Sequence, residues 1–165
     1  MYRVFISTPG DLEDERLAAH NVLSPVLEKD GMPYKILLVP VGLRDNEHIV
    51  GYRAAVTENI RQCTYYIQVF QDDWGPRNLF KKAFHTAEEC RGDSGRLMRE
   101  IVVLLKDAPH ETDPEILAFR KELAEWQGGR VFTYAKLDEF QTILTGIYTA
   151  WLKNLVGEAA SSASA

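Results

Sequence analysis

The sequence is poor in cysteine and has no long apolar run, and each absence excludes a class of protein. Its two cysteines, Cys63 and Cys90, are not spaced as zinc ligands are. We therefore expect small core side chains in a reducing compartment and no metal site. No apolar run approaches the roughly 20 residues that span a bilayer, and the opening MYRVFISTPG predicts a strand and not a signal peptide. The sequence thus indicates a cytoplasmic protein without a membrane segment.

Positive charge is also scarce. The chain has 19 Lys and Arg against 24 Asp and Glu, a formal net charge of -5. Proteins that bind nucleic acid without sequence preference gain most of their affinity by neutralising phosphates with Lys and Arg, so we expect no nucleic-acid partner. The 165 residues are 45% hydrophobic and 26% charged, which is typical of one soluble globular domain.

Several signatures of cofactor binding and catalysis are missing. There is no GxxxxGK[ST] loop and no GxGxxG after the first predicted strand, so we expect no cofactor. The string GDSG at residues 92–95 lacks the second glycine of a GxSxG nucleophile elbow. The four histidines are scattered without metal-ligand spacing: His20, His48, His85 and His110.

Hydrophobic patterns predict five strands that alternate with helices. The strands are expected at residues 2–7, 34–41, 65–70, 100–106 and 130–134. Residues 65–70 are apolar on both faces, which is typical of a central parallel strand. Parallel strands need crossover connections, so the alternation predicts a doubly wound, flavodoxin-like α/β sheet of order 2-1-3-4-5 in three layers. We expect a single domain over residues 1–156 and a flexible linker or tail over residues 157–165.

Two of the predicted helices begin with recognisable start residues. Thr8, Pro9 and Asp11 stand in the order expected for the N-cap and the first turn of the first helix. Later in the chain, Thr86 is the expected N-cap of a helix in which Glu89, three residues on, completes a capping box. Both loops would therefore place acidic residues at a helix start.

Polar residues also follow the two strands expected at the centre of the sheet. Ser7 and Thr8 come at the end of the first strand, and Asp72, Asp73 and Trp74 come directly after the third. Ligands of open α/β sheets bind outside the carboxyl ends of the strands, where the strand order reverses. We therefore expect a ligand site formed by these two loops.

The acidic residues of the first loop limit what that site can hold. Asp11, Glu13, Asp14 and Glu15 occupy the first two turns of the predicted helix. They would repel a bare phosphate, but they suit hydroxyl groups or a cation, including the oxocarbenium-like state of a ribose that loses its base. Helix capping explains the same four residues equally well.

Three segments resemble one protein family. The opening RVFISTPGDLEDER, the strand and turn YYIQVFQDDWG, and the segment TAEE are similar to the RVFISSTxxDLxxER, DRYG and SxTExE motifs of uncharacterised TIR-like domains. Those domains stand at the N-terminus of multidomain signalling proteins. They are related in fold to Toll/interleukin-1 receptor (TIR) domains and to nucleoside deoxyribosyltransferases. The resemblance covers residues 2 to about 155.

The resemblance implies roles for individual residues. Enzymes of the related groups cleave N-glycosidic bonds with a glutamate on the helix after the third strand, a position that Glu89 matches best and Glu88 matches as the alternative. Asp72 or Asp73 would bind the ribose hydroxyls. Trp74, which replaces the tyrosine of the family's turn, would exclude water. The other side of the crevice would be lined by Ser7, Thr8 and Asp11.

The function implied is a signalling or effector domain that recognises a nucleotide. It would cleave the N-glycosidic bond of an NAD-type substrate when self-associated, through a loop from Gly42 to Gly51 that resembles the self-association loop of TIR domains. Further domains would follow the tail. Two alternatives stay open: a catalytically inert protein-protein interaction module, and a stand-alone nucleoside deoxyribosyltransferase.

Overall fold

The computed structural model of the protein describes residues 1–9, 11–42, 52–75 and 78–163, without the side chains of Tyr52 and Arg53. In these residues five strands alternate with helices. The strands are β1 (Tyr2–Ser7), β2 (Leu38–Gly42), β3 (Tyr65–Phe70), β4 (Glu100–Lys106) and β5 (Arg130–Tyr134). The helices are α1 (Glu13–Asn21), α2 (Leu23–Asp30), α3 (Tyr52–Arg61), α4 (Leu79–Gly92), α5 (Pro114–Ala124) and α6 (Leu137–Ala163).

The described strands form one parallel sheet of order β2-β1-β3-β4-β5, so the predicted fold class and strand order are confirmed. Ser7 at the end of β1 pairs in register with Gln68 of β3. The chain leaves β1 toward β2 on one side and returns to β3 on the other. The carboxyl ends of β1 and β3 are therefore the point where strand order reverses.

Each face of the sheet is covered by helices, which gives the predicted three layers. Alternate residues of one strand enter different cores, as the pleat requires. Val4 and Ile6 pack with α1, α2 and α6, whereas Phe5 packs with α3, α4 and α5. β3 is buried along its whole length, which confirms the prediction of a central strand.

The first helix starts later than the sequence predicts. α1 begins at Glu13 with Leu12 at the N-cap and no side-chain capping bond. Thr8 is buried, and its hydroxyl has no hydrogen-bond partner among the described residues, so it does not cap the helix. Burial of Leu12 in the core explains the shift, because anchoring this side chain fixes where the helix leaves the sheet. The helical segment after β1 is divided at Val22, and Pro25 stands in the first turn of α2, where its missing N–H costs little.

The helix after β3 starts much earlier than predicted. α4 begins at Leu79, so Thr86 is not an N-cap and Glu89 is not a capping-box partner. The Thr86 hydroxyl donates instead to the carbonyl of Lys82, one turn back in the helix. An apolar stripe of helical spacing explains the early start. It consists of Leu79, Phe80, Ala83, Phe84, Ala87 and Cys90, all buried.

The last helix is longer than predicted. α6 continues to Ala163, so the segment predicted as a flexible tail is helical through residue 163. Glu158 in this segment forms a two-oxygen salt bridge with Arg99 at 2.8 and 2.9 Å, which ties the end of α6 to the start of β4.

The loop predicted for self-association, Gly42 to Gly51, lies outside the described residues except for Gly42. In the described ranges, no helix has both the length and the apolar character needed to cross a membrane.

Candidate functional site

Two buried hydroxyl groups mark the carboxyl end of β1. Ser7 and Thr8 are 0% and 2% exposed, and neither side-chain oxygen has a hydrogen-bond partner among the described residues. A buried polar group without a partner costs about 1–3 kcal/mol, so such groups are rare in folded proteins and indicate a missing water or ligand. The end of β1 thus has hydrogen-bonding capacity that the described residues do not use.

A polar network on β3 holds Ser7 in place. The Tyr66 hydroxyl donates to the side-chain oxygen of Gln68 at 2.8 Å, and the Gln68 amide nitrogen donates to the carbonyls of Ser7 at 3.3 Å and Val69 at 3.0 Å. Burial raises the pKa of Tyr66, and the nearby Ser7 hydroxyl opposes that shift. The backbone of Ser7 is therefore fixed, while its own hydroxyl makes no regular hydrogen bond.

Two carboxyl groups lie near each other at this edge of the sheet. Asp11, in the turn before α1, is close enough to Asp72, which follows β3, for its charge to act on the Asp72 carboxyl group. Burial raises the pKa of Asp72 most, and the charges of Asp11, Glu111 and Asp73 add to the shift. Asp72 therefore holds a proton more tightly than an isolated aspartate does.

The charge around this pair is mostly negative. Arg120 reaches across from α5 and donates to the carbonyl of Gln71 at 2.6 Å. Burial lowers the pKa of Arg120, and Asp107, Asp72 and Glu111 oppose the shift, so three acids surround this single guanidinium. Arg16 is bound to Glu13 at 2.5 and 2.7 Å and does not balance the pair. The described part of the crevice therefore favours hydroxyl groups or cations over a bare phosphate.

The other two residues predicted after β3 have mainly structural contacts. An oxygen of Asp73 accepts a hydrogen bond from the backbone N–H of Gly75 at 2.8 Å and closes the turn. Gly75 has φ +72°, and a Cβ there would lie 2.7 Å from Phe80, so the turn requires glycine. Trp74 is 6% exposed, and its ring packs in the core at 4.4 Å from Phe70 and 4.7 Å from Phe119. It leaves little surface for a ligand.

Comparison with known proteins shows no family for this chain. No family model matches it, and no curated protein matches it. One solved structure found is RosB with the bound intermediate 8-demethyl-8-formylriboflavin-5'-phosphate, at 11% sequence identity and a TM-score of 0.43. That match covers 99% of this chain and 86% of the other. A similarity this low carries no information about the ligand of the present chain.

The structure places Ser7 and Thr8 at the carboxyl end of β1, and Asp11 and Asp72 in the loops after β1 and β3, whereas Glu88 and Glu89 lie elsewhere. α4 starts at the carboxyl edge of the sheet and runs back along it. Glu89 lies ten residues after Leu79, which is about 15 Å along the helix, and it is exposed. Glu88 contacts Trp126, just before β5, at the amino-terminal edge. Within one chain, neither glutamate lies in the crevice.

Sequence reasoning missed an ion pair behind the crevice. The carboxylate of Glu15, buried on α1, lies 2.6 Å from the Lys106 ammonium at the end of β4. The Tyr134 hydroxyl, at the end of β5, donates to the same oxygen of Glu15 at 3.2 Å. Tyr134 and Glu15 are 119 positions apart, so no local sequence pattern could have predicted this cluster. Gln68 was detectable, because it is the one polar residue of the strand YYIQVF.

Metal binding has no support in the described residues, in which no group of three or more His, Cys, Asp or Glu side chains is arranged to hold an ion.

The raised pKa of Asp72 predicts a pH-dependent stability difference. The folded state binds the Asp72 proton more tightly than the unfolded state, so this stabilisation is present at low pH and is lost as the pH rises through the folded pKa. Asp72→Asn is therefore expected to be more stable than the wild type at pH 7 and to lose that advantage near pH 3.5. Thermal unfolding of both proteins at the two pH values measures the difference.

Asp73→Asn is the matched control for this experiment. Asp73 is exposed and is the weakest of the influences on Asp72, so its substitution should give a smaller gain. If Asp72→Asn is less stable than the wild type at pH 7, the folded state does not disfavour the ionised form of Asp72 and this prediction is wrong.

Proposed function

We propose that the chain is a TIR-like domain that recognises a nucleotide through its ribose, at the crevice formed by Ser7, Thr8, Asp11 and Asp72. The observation that carries the proposal is the pair of buried hydroxyls at the end of β1 that have no partner among the described residues, at the edge of the sheet where burial and the charge of Asp11 raise the pKa of Asp72. Adjacent ribose hydroxyls can donate to a carboxylate and accept from Ser7 or Thr8, so a ribose would satisfy all four groups. The place at the strand-order reversal supports the same reading.

The test compares Ser7→Ala with the wild-type protein in two measurements. Ser7 has a hydroxyl without a partner, so its removal should leave the midpoint of thermal unfolding unchanged or raise it. Binding of adenosine, measured by calorimetry, should weaken about tenfold, because one hydrogen bond to the ligand is lost. In the wild type, 2′-deoxyadenosine should bind more weakly than adenosine, because it lacks one of the two adjacent hydroxyls.

Thr142→Ala is the control, because the Thr142 hydroxyl is on the exposed face of α6 and donates to a helix carbonyl. It should bind adenosine as the wild type does. If adenosine, NAD⁺ and 2′-deoxyadenosine all fail to bind at millimolar concentration, the nucleotide proposal is wrong. The catalytically inert interaction module would then be the better description.

Cleavage of an N-glycosidic bond is a second candidate, favoured by the acidic character of the crevice. Asp11 and Asp72 would stabilise the positive charge that develops on a ribose as it loses its base. With a neutral nucleoside, protonated Asp72 would instead give its proton to the departing base, and water would add to the anomeric carbon of the ribose. In this reaction the carboxyl groups of Asp11 and Asp72 take the catalytic role that the family resemblance implies for Glu89.

A further inference from the structure

A second cleft lies at the opposite edge of the sheet from the crevice. It has a volume of about 310 Å³ and is lined by Glu88, Arg91, Gly92, Ile101, Trp126 and Gly128. Ile101 stands at the start of β4 and Gly128 just before β5, so the cleft opens at the amino-terminal ends of these strands. Its volume is near the lower end of the usual range for ligand pockets, roughly 300–1,000 Å³. A dinucleotide would not fit inside it.

The Trp126 ring is a fixed wall of this cleft. Its indole N–H donates to an oxygen of Glu88 at 3.2 Å, and its ring lies 5.3 Å from that of Phe84. A Cβ at Gly128 would come within 2.5 Å of the ring, so the indole occupies space that a side chain there would fill. The indole is therefore held by packing and by a hydrogen bond before any ligand arrives.

The cleft also carries one charge of each sign. Glu88 and Arg91 are three residues apart on α4, so their side chains lie on the same face of the helix. Glu88 accepts from Trp126 with one oxygen and contacts the His85 imidazole nitrogen at 3.0 Å with the other, which leaves acceptor capacity on both oxygens. Arg91 forms no ion pair with any carboxylate in the part of the chain that the structure describes.

We propose that this cleft binds a small zwitterion with an apolar body, which is the chemistry of a free amino acid with an aromatic or branched side chain. The Arg91 guanidinium takes the ligand's carboxylate, because its planar donors match a carboxylate in two hydrogen bonds. Glu88 takes the ammonium group. The apolar side chain of the ligand lies against the partly buried Trp126 ring and leaves water.

Titration of the full chain with L-phenylalanine, followed by NMR or calorimetry, tests this site. Arg91→Gln removes the partner of the ligand's carboxylate, and binding should weaken by at least about tenfold. Gly92→Leu places a side chain where a Cβ meets no atom within 4 Å, so it fills the cleft without a clash. It should also abolish binding and keep the fold, since leucine favours the helix more than glycine does.

Arg96→Gln is the matched control, because Arg96 is a nearby exposed arginine already paired with Asp93 at 3.6 Å. It should bind L-phenylalanine as the wild type does. Phenethylamine and 3-phenylpropionate, which each lack one charge, should bind at least about tenfold more weakly than L-phenylalanine.

Two results would overturn the proposal: no binding of L-phenylalanine or L-leucine at millimolar concentration, or binding that Arg91→Gln and Gly92→Leu leave unchanged. Adenosine binding to Gly92→Leu separates this proposal from the nucleotide proposal. The two sites lie at opposite edges of the sheet, so adenosine should bind this variant as it binds the wild type.

Discussion

Lys106→Met is expected to lower the free energy of unfolding by about 3 kcal/mol. The substitution leaves the Glu15 carboxylate buried without its cation, and only the Tyr134 hydroxyl still donates to it. An uncompensated buried charge commonly costs about 3–5 kcal/mol, and the lower end applies because the Lys106 side chain is 27% exposed. Urea unfolding at pH 7 measures the loss.

Two controls for Lys106→Met test whether the loss comes from the buried charge of Glu15. Lys153→Met, on the exposed face of α6, should change the free energy of unfolding by less than about 0.5 kcal/mol. Glu15→Gln combined with Lys106→Met should recover most of the loss, because the neutral amide still accepts from Tyr134 and no charge remains buried. A loss below about 1 kcal/mol in Lys106→Met would mean that water reaches the Glu15 carboxylate.

The second large effect concerns cleavage of NAD⁺. Asp72→Asn is expected to lower the rate of nicotinamide release by at least about a hundredfold, which is typical for the loss of one electrostatic contributor. Glu89→Gln should retain more than a tenth of the wild-type rate, because Glu89 is exposed and about 15 Å along α4 from the crevice edge. Free nicotinamide, measured against time with concentrated protein, gives both rates.

The same assay also provides a control and the results that would contradict this role of Asp72. Asp73→Asn, at the exposed neighbouring position, should keep most of the activity. If Glu89→Gln abolishes cleavage and a mixture of Glu89→Gln and Asp72→Asn proteins restores it, Glu89 acts in the crevice of another copy. Specific activity would then rise with protein concentration. If the wild type releases no nicotinamide, cleavage is not a function of this chain.

The fold followed from the sequence because each strand carries its own signal. The run YYIQVF is apolar on both faces, and only a strand covered on both sides buries all of it. Alternation with helices then leaves few topologies, since crossovers between parallel strands are right-handed and short. The sheet order and its central strand could therefore be predicted without tertiary information.

The start of α4 shows where local patterns mislead. Thr86 and Glu89 have the spacing of a capping box, which is a helix-start motif of only about four residues. The apolar stripe from Leu79 to Cys90 runs along most of a helix of 14 residues and buries six side chains. Burial of that area outweighs one capping arrangement, worth about 1 kcal/mol. The capping-box prediction therefore placed Glu89 at the start of a helix, whereas it lies in the last turn of α4.

The sequence by itself determined the five strands, their order and the position of Ser7 and Asp72 after the carboxyl ends of two neighbouring strands, because strand ends and the loops after them are local features. Tertiary structure alone decided which groups meet: Asp11 with Asp72, Glu15 with Lys106, and Glu88 with Trp126. Glu88 and Trp126 are 38 positions apart, and Tyr134, which also contacts Glu15, is 119 positions from it. Their free energy depends on burial and distance, which only the packed chain defines.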